Sequence, residues 1–375
     1  MNREKVVALC MLDSIHSARW LSQFQDQETT FLVFPSSPHR RIHPELNRLL
    51  DGNHRAKYEI VHLGKYFGLP LWILDKFTNN FFRGLLLNLF IKKYNPTTVH
   101  ALELQNAGYI TLKALENNKP KDLKLIVTNW GSDIFWFQRF PKHKEKIEHL
   151  LAIADAYSAE CERDVALAKK LGFKGQVMPV IPNAGGFSEA NLAMPRLPAE
   201  QRKTIALKGY DGWVGRAKIS LEAVRSMATE LQDYEIVVYS ANRSVLKLAK
   251  NVAKETGLSI KAHGKGKLTH NQVLELFARS KIYVGLSESD GISTSMLEAM
   301  AMGAIPVQTS TACCDEWFQD SGVAVHEISV PEVMDAIRKG LVLADDPSHA
   351  AKNLETIKQK ASAEDVKAIA LKFYD

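Results

Sequence analysis

The sequence predicts an α/β protein of two doubly wound lobes with a cleft between them. Three observations point there. Its 375 residues suffice for two domains of ordinary size, each with its own core. Short apolar runs alternate with longer amphipathic segments, the rhythm of parallel strands and crossover helices. That rhythm breaks once, just after Pro182, over 183–203. There Gly185, Gly186, Pro195 and Pro198 stand among polar and small residues, and the alternation then restarts. The break reads as the interdomain linker.

In the first lobe, 1–182, strands are predicted over 6–12, 30–34, 58–63, 98–101, 123–128, 156–158 and 177–180. Helices are predicted over 17–25, 81–94, 107–116, 143–153 and 162–171, with Pro96 marking the end of the second. In the second lobe, 204–360, the strands are 204–207, 235–239, 260–262, 282–286 and 305–307. Its helices are 218–229, 245–256, 271–278, 294–302 and 330–343. A last helix, over 361–373, lies in a tail (361–375) that can pack back on the first lobe. In sheets of this kind ligands bind beyond the carboxyl ends of the strands.

Bulk properties exclude several classes. A net charge of +6 is far from the dense basic patches of a nucleic-acid binder. It suits attraction of phosphate-bearing ligands or anionic membranes. Cys10, Cys161, Cys313 and Cys314 lack metal-ligand spacing and read as reduced thiols of a cytoplasmic protein. The apolar run from Val6 to Leu12 is too short for a signal peptide, and no run approaches the roughly 20 residues of a membrane span.

The most informative segment runs from Ser287 to Gly303. A buried strand feeds a turn, and the turn opens a helix with Gly291, Ser293, Thr294 and Ser295 at its start. Unpaired amides and the helix dipole make such a turn an anion site. Asp290 stands before the turn and Glu298 inside the helix, on the same face as Thr294. Phosphates on the amides and hydroxyls on the acids suit a nucleotide sugar.

This segment resembles the retaining family 4 glycosyltransferases of the GT-B fold, two Rossmann-like domains facing across a cleft. Members carry Glu, seven residues, Glu, then Ala-Met-Ala-x-Gly-x-Pro-Val. Here the pattern reads Asp290, seven residues, Glu298, then Ala299 to Val307, so the first acid is one methylene shorter. Val180-Ile181-Pro182-Asn183, Gly264, Trp130-Gly131-Ser132-Asp133 and His100-Ala101-Leu102-Glu103 resemble further family segments. The resemblance implies donor ribose on Glu298 and donor sugar on Asp290. It places the pyrophosphate on Gly291, Ile292, Ser293 and Thr294, with Gly264 also on the donor side. It puts Lys208 and Arg216 on the leaving diphosphate, with Lys218 competing for the second place. Cations fixed there would stabilise the charge that builds up as the diphosphate departs.

In the first lobe the resemblance points to Ser14, His16, Gly131 and Asp133. Trp130 stands where many members have a histidine near the reacting centre, so that role is vacant or passes to His16 or His100. Asp133 either holds the acceptor, orients its loop or caps a helix. The implied activity is a retaining, hexosyltransferase-type reaction from a nucleoside-diphosphate sugar to a saccharide or lipid-linked acceptor, in bacterial surface polysaccharide synthesis. No cofactor or metal is implied, in keeping with the lack of an Asp-x-Asp motif. Two other readings stand beside it: a GT-B sugar-nucleotide epimerase and a non-catalytic nucleotide-sugar-binding subunit. The segment 81–93 is apolar with basic ends. It admits peripheral contact with the inner face of the cytoplasmic membrane, while its nearly all-round apolarity suits a buried crossover helix.

Overall fold

The computed structural model describes residues 4–37, 41–61, 68–183 and 185–375. The chain forms two compact units. The first comprises Met1–Gly186 with Glu364–Asp375, the second Phe187–Ala363.

The first unit is built on a seven-stranded parallel sheet. Its strands are β1 (Glu4–Cys10), β2 (Thr29–Pro35), β3 (Lys57–Ile60), β4 (Thr98–Ala101), β5 (Lys124–Thr128), β6 (Ala156–Ser158) and β7 (Gln176–Val177), in the order β3-β2-β1-β4-β5-β6-β7. Residues 6–10 of β1 and all of β4 are buried. Strands covered by helices on both faces need continuous apolar runs rather than alternation, which is why these segments were legible. The predicted strand 58–63 ends at Ile60, and its residues 62 and 63 lie outside the described residues. The predicted strand 177–180 shortens to the two residues of β7.

The second unit repeats the plan with β8 (Thr204–Lys208), β9 (Glu235–Ala241), β10 (Ser259–Gly264), β11 (Ser280–Gly285), β12 (Ile305–Thr309) and β13 (Val323–Val325), ordered β10-β9-β8-β11-β12-β13 and all parallel. In both sheets the order reverses beside the first strand, and that reversal opens a crevice at the strand ends.

Residues 187–203 are no free linker. Leu197 donates its amide to the Ala278 carbonyl at 3.0 Å. Arg202 is buried, with Nε on the Leu197 carbonyl at 2.7 Å and its guanidinium also on the carbonyls of Ser280 and Gly303. The carbonyls of Ala278, Ser280 and Gly303 thus pin the segment to the rest of the second unit. At the far end of that unit Ser362 pairs with Phe187 as a parallel bridge.

The last residues belong to the first unit. Phe373 and Tyr374 are buried in its core with Trp20, Phe24 and Phe31. Trp20 Nε1 donates to the Tyr374 hydroxyl at 3.1 Å, and that hydroxyl lies 2.8 Å from His100 Nδ1. Burying these aromatic rings while pairing their polar tips makes the short tail a firm anchor.

Candidate functional site

The carboxyl ends of β8 and β11, adjacent where the second sheet's order reverses, carry the segments the sequence singled out. Beyond β8 runs the loop 209–216, and beyond β11 the loop 286–293 leads into the helix Thr294–Ala301. The two loops are stitched together. Glu288 donates its amide to the Val214 carbonyl at 2.7 Å, Arg216 donates its amide to the Leu286 carbonyl at 3.2 Å, and Gly215 bridges Ser287. Gly209 and Gly215 are required by this closeness. A Cβ on Gly209 would lie 2.6 Å from the Tyr239 carbonyl oxygen, and one on Gly215 would lie within the same range of Tyr210. The end of β12 supplies a second anchor. Thr309 Oγ1 accepts the Ser287 amide at 3.0 Å and donates to its carbonyl at 2.9 Å, while Asp290 donates its amide to the Thr311 carbonyl at 3.2 Å. The loop bearing Asp290, Gly291, Ile292 and Ser293 is therefore held from both sides before any ligand arrives.

At the start of the helix Thr294–Ala301 no side chain caps the amides. The buried Ser293 instead accepts Met296 and Leu297 on its carbonyl at 2.9 and 3.1 Å. The first-turn amides at Thr294 and Ser295 have no intrahelical acceptor, as at any helix start. Lys208 ends β8, the strand paired with the β11 that leads into this helix. Among the described residues Lys208 has no side-chain hydrogen bond or ion pair, although it is half-buried. Burial alone would lower its pKa. Tyr283, Asp290, Glu298 and Tyr210 around it outweigh that, and the pKa is raised, so the ammonium keeps its charge. A charged, unpaired ammonium beside two carboxylates and an uncapped helix start is a place prepared for an anion with hydroxyls attached.

Arg216 sits differently from that expectation. Its guanidinium pairs with Glu288 at 3.0 Å and donates to the carbonyls of Gly212 and Gly215 at 2.9 and 2.8 Å. Lys218, its competitor, pairs with Asp211 at 2.9 Å. Both cations are occupied in fastening their loop, and Lys208 alone of the three is left for a ligand.

Glu298 is buried, and its Oε1 lies 2.7 Å from Nε2 of His270. His270 was missed in the sequence. It opens the helix His270–Arg279 behind a capping box in which Gln272 donates its amide to Thr269 Oγ1 at 3.3 Å and Thr269 donates its amide to Gln272 Oε1 at 2.8 Å. The Thr-x-x-Gln spacing was the available signal, since it places the residue after Thr269 at a helix start. Gly264 ends β10, one turn upstream. A Cβ there would meet nothing nearer than 3.6 Å, so packing within the protein does not demand glycine.

The corresponding edge of the first unit is built otherwise. Ser14 caps the helix Ile15–Ser22, its Oγ accepting the His16 amide at 3.2 Å. His16 is exposed, its ring 6.1 Å from that of Trp130. Gly131 adopts φ +51°, which glycine takes without strain. Asp133 Oδ2 accepts the amides of Leu104 and Trp130 at 2.8 and 3.1 Å. Of the three roles open to Asp133 in the sequence, the structure displays loop orientation. Burial and the nearby Glu103 push its pKa well up. Glu103 is itself buried, taking Ser36 Oγ at 2.6 Å and Asn106 Nδ2 at 3.0 Å, and burial raises its pKa too. His100 cannot fill the place left by Trp130. It is fully buried, with Nδ1 on Tyr374 and Nε2 on Thr128 at 2.6 Å, and burial lowers its pKa to about 3.

Fold and site together describe a doubly wound α/β protein whose second unit brings Lys208, Asp290 and Glu298 together. Residues 195–358 match the family described as glycosyl transferases group 1. That match lies within the second unit, and the chain as a whole has the GT-B fold. No curated protein sequence matches it. Among solved structures it is similar to an alpha,alpha-trehalose 6-phosphate synthase from Burkholderia multivorans, with TM-score 0.72 and 13% identity over 100% of this chain and 97% of the other. It is also similar to a glycosyltransferase from Rickettsia africae, with TM-score 0.69 and 13% identity over 100% and 98%. A third is a sucrose-phosphate synthase from Thermosynechococcus elongatus, with TM-score 0.68 and 12% identity over 99% and 97%. Among the described residues no helix is long and apolar enough to cross a membrane.

Proposed function

We propose that this chain is a retaining, metal-independent hexosyltransferase acting in the cytoplasm. It would move a sugar from a nucleoside-diphosphate sugar to a saccharide or lipid-linked acceptor in surface polysaccharide synthesis. The observation that carries the proposal is Lys208, a charged and unpaired ammonium at the end of β8 with Asp290 and Glu298 around it. The diphosphate rests on Lys208 and the amides from Gly291 to Thr294. The ribose hydroxyls donate to Glu298, and the sugar hydroxyls donate to Asp290. Arg216 reaches the diphosphate only if it exchanges Glu288 for it.

In the reaction the bond between the anomeric carbon and the diphosphate oxygen breaks. The acceptor oxygen bonds to that carbon from the same face, and the acceptor proton passes to a phosphate oxygen. Negative charge grows on the departing diphosphate, and Lys208 stabilises it more in the transition state than in the bound donor. The acceptor binds at the strand ends of the first unit, near His16 and Gly131.

Several proteins of similar fold are named as UDP-forming or were crystallised with UDP-2-fluoro glucose, so UDP-sugars are the first donors to test. The decisive experiment screens UDP-, GDP- and ADP-sugars by thermal shift, then measures product anomeric configuration by NMR, with and without EDTA. Inversion, or activity abolished by EDTA, would overturn the retaining or metal-independent reading. Tight donor binding with no product from any acceptor would favour a non-catalytic binding subunit. Donor turnover without acceptor would favour an epimerase.

A further inference from the structure

The helices Gly68–Phe77 and Phe81–Tyr94 present an apolar face to solvent. Phe77 is 86% exposed, and Ile73, Leu74, Phe81, Leu85 and Leu89 lie between 45% and 53%. Phe81, Leu85 and Leu89 fall at intervals of four, so they share one face of the second helix. A crossover helix buried all round was one expectation for this segment. Instead its opposite side alone packs inward, through Leu87 and Ile91. Gly84 lets it approach closely, since a Cβ there would lie 2.8 Å from the side chain of Lys113.

The hairpin is built to hold this face outward. Asp75 and Arg83, both buried, form an ion pair at 2.6 Å that joins the two helices. Asp75 Oδ1 also accepts the Phe82 amide at 2.9 Å, and Arg83 donates to the Ser36 carbonyl at 2.7 Å. Asp75 is the single acid between residues 68 and 94, and it is turned inward and neutralised. The remaining charges are Lys76, Lys92 and Lys93, all exposed. Lys76 Nζ lies 3.9 Å over the ring of Trp72 and Lys93 Nζ 5.2 Å over that of Tyr94, the posture of a lysine whose stem covers apolar surface while its head stays at the edge. The patch is thus aromatic and aliphatic, and the exposed charges that the hairpin itself sets around it are all lysines.

We infer that this hairpin docks the protein on an anionic lipid bilayer surface. Exposed apolar patches of this extent mark interaction sites, and the charge selects the occupant. A second copy meeting the same patch would set lysines against lysines. An anionic headgroup layer neutralises the rim while the apolar face enters the boundary of the acyl chains. The inference stands on the patch and does not need the glycosyl-transfer reading. It meets that reading only in that a docked enzyme would encounter a lipid-linked acceptor.

The test is flotation of the full chain with vesicles of phosphatidylcholine alone and of phosphatidylcholine with an equal part of phosphatidylglycerol. Wild type is expected to float with the anionic vesicles, and far less with the neutral ones or at high salt. Each lysine at an anionic surface is worth about fivefold in partitioning, so Lys76→Glu/Lys92→Glu/Lys93→Glu is expected to lower binding at least tenfold. Phe77→Ser/Phe81→Ser/Leu85→Ser is expected to do the same. All six side chains are exposed, so circular dichroism melting and donor binding by the second unit report that the fold is intact. If wild type floats with neither vesicle, or both variants float as well as wild type, the inference fails. It fails equally if sedimentation shows a dimer that the serine variant dissociates, with no vesicle binding.

Discussion

The two sheets share one winding, yet their strand-end edges have opposite characters. At the end of β8 a lysine stays charged with no side-chain partner among the described residues, near two acids and a helix start that no side chain caps. At the ends of β4 and β5 the first unit gathers Glu103 and Asp133, and the protein consumes them itself. The edge of the first unit is a settled polar network, whereas at the edge of the second Lys208 and the uncapped helix start keep capacity for a ligand. The difference shows that topology marks where a site can form, while unmet hydrogen-bonding and charge capacity marks where one has formed.

The comparison can be broken most sharply at Lys208. Lys208→Ala is expected to lower donor turnover about 10²- to 10³-fold, the usual effect of removing one group that stabilises transition-state charge. A loss under tenfold, with the melting temperature unchanged, would erase the distinction between the two edges. Glu298→Ala is expected to act mainly on donor KM, and steady-state kinetics at varied donor concentration separates this from a change in kcat.

For the first unit the expected loss is in stability. Asp133→Ala leaves the amides of Leu104 and Trp130 without their acceptor, a cost of roughly 1–3 kcal/mol. Asp133→Asn keeps an acceptor and is expected to recover most of it. Urea unfolding of the two variants reads this directly, and a catalytic defect in Asp133→Asn without destabilisation would move Asp133 into the reaction.

His100 gives a pH signature of the settled edge. It is held neutral in the fold with a pKa near 3, and it takes up its proton only on unfolding. From its ordinary value near 6.5 down to about 3 the unfolded chain binds more protons, so stability falls as the pH falls. The contribution is about 1.4 kcal/mol per pH unit. His100→Gln is expected to flatten that slope, measured by denaturant midpoints between pH 7 and 5. The smallest effect belongs to His270. His270→Ala removes one partner of Glu298 and is expected to raise donor KM about three- to tenfold, as for loss of an ordinary hydrogen bond. An unchanged KM would show that Glu298 needs no positioning.

Legibility followed the range of the interactions. The helices Phe81–Tyr94 and Val330–Leu343 and the strands β4 and β6 have the bounds the sequence predicts, because local apolar pattern and a following breaker define them. The helices Pro44–Asp51, Asp133–Phe137 and Pro347–Ala361 were not anticipated. The first and last are polar and amphipathic, and the middle one is a short apolar run that a strand or a loop would fit as well. In the second unit the segment around Asp290 and Glu298 was readable because a strand, a glycine turn and a helix follow one another without interruption. His270 was not, since it reaches Glu298 across 28 residues of chain.

By itself, the sequence determined the two-unit α/β plan and the strand-turn-helix at 287–303. Those depend on periodicity and on neighbours a few residues apart. Only the tertiary structure decided which charges remain unpaired. It spent Arg216 on Glu288, Lys218 on Asp211 and Asp133 on two backbone amides, and among the described residues left Lys208 without a side-chain partner. It also turned one face of the hairpin at 68–94 outward around the buried Asp75–Arg83 pair. Whether a charged group is satisfied depends on distances of a few ångströms between residues far apart in the chain, and no local pattern encodes those distances.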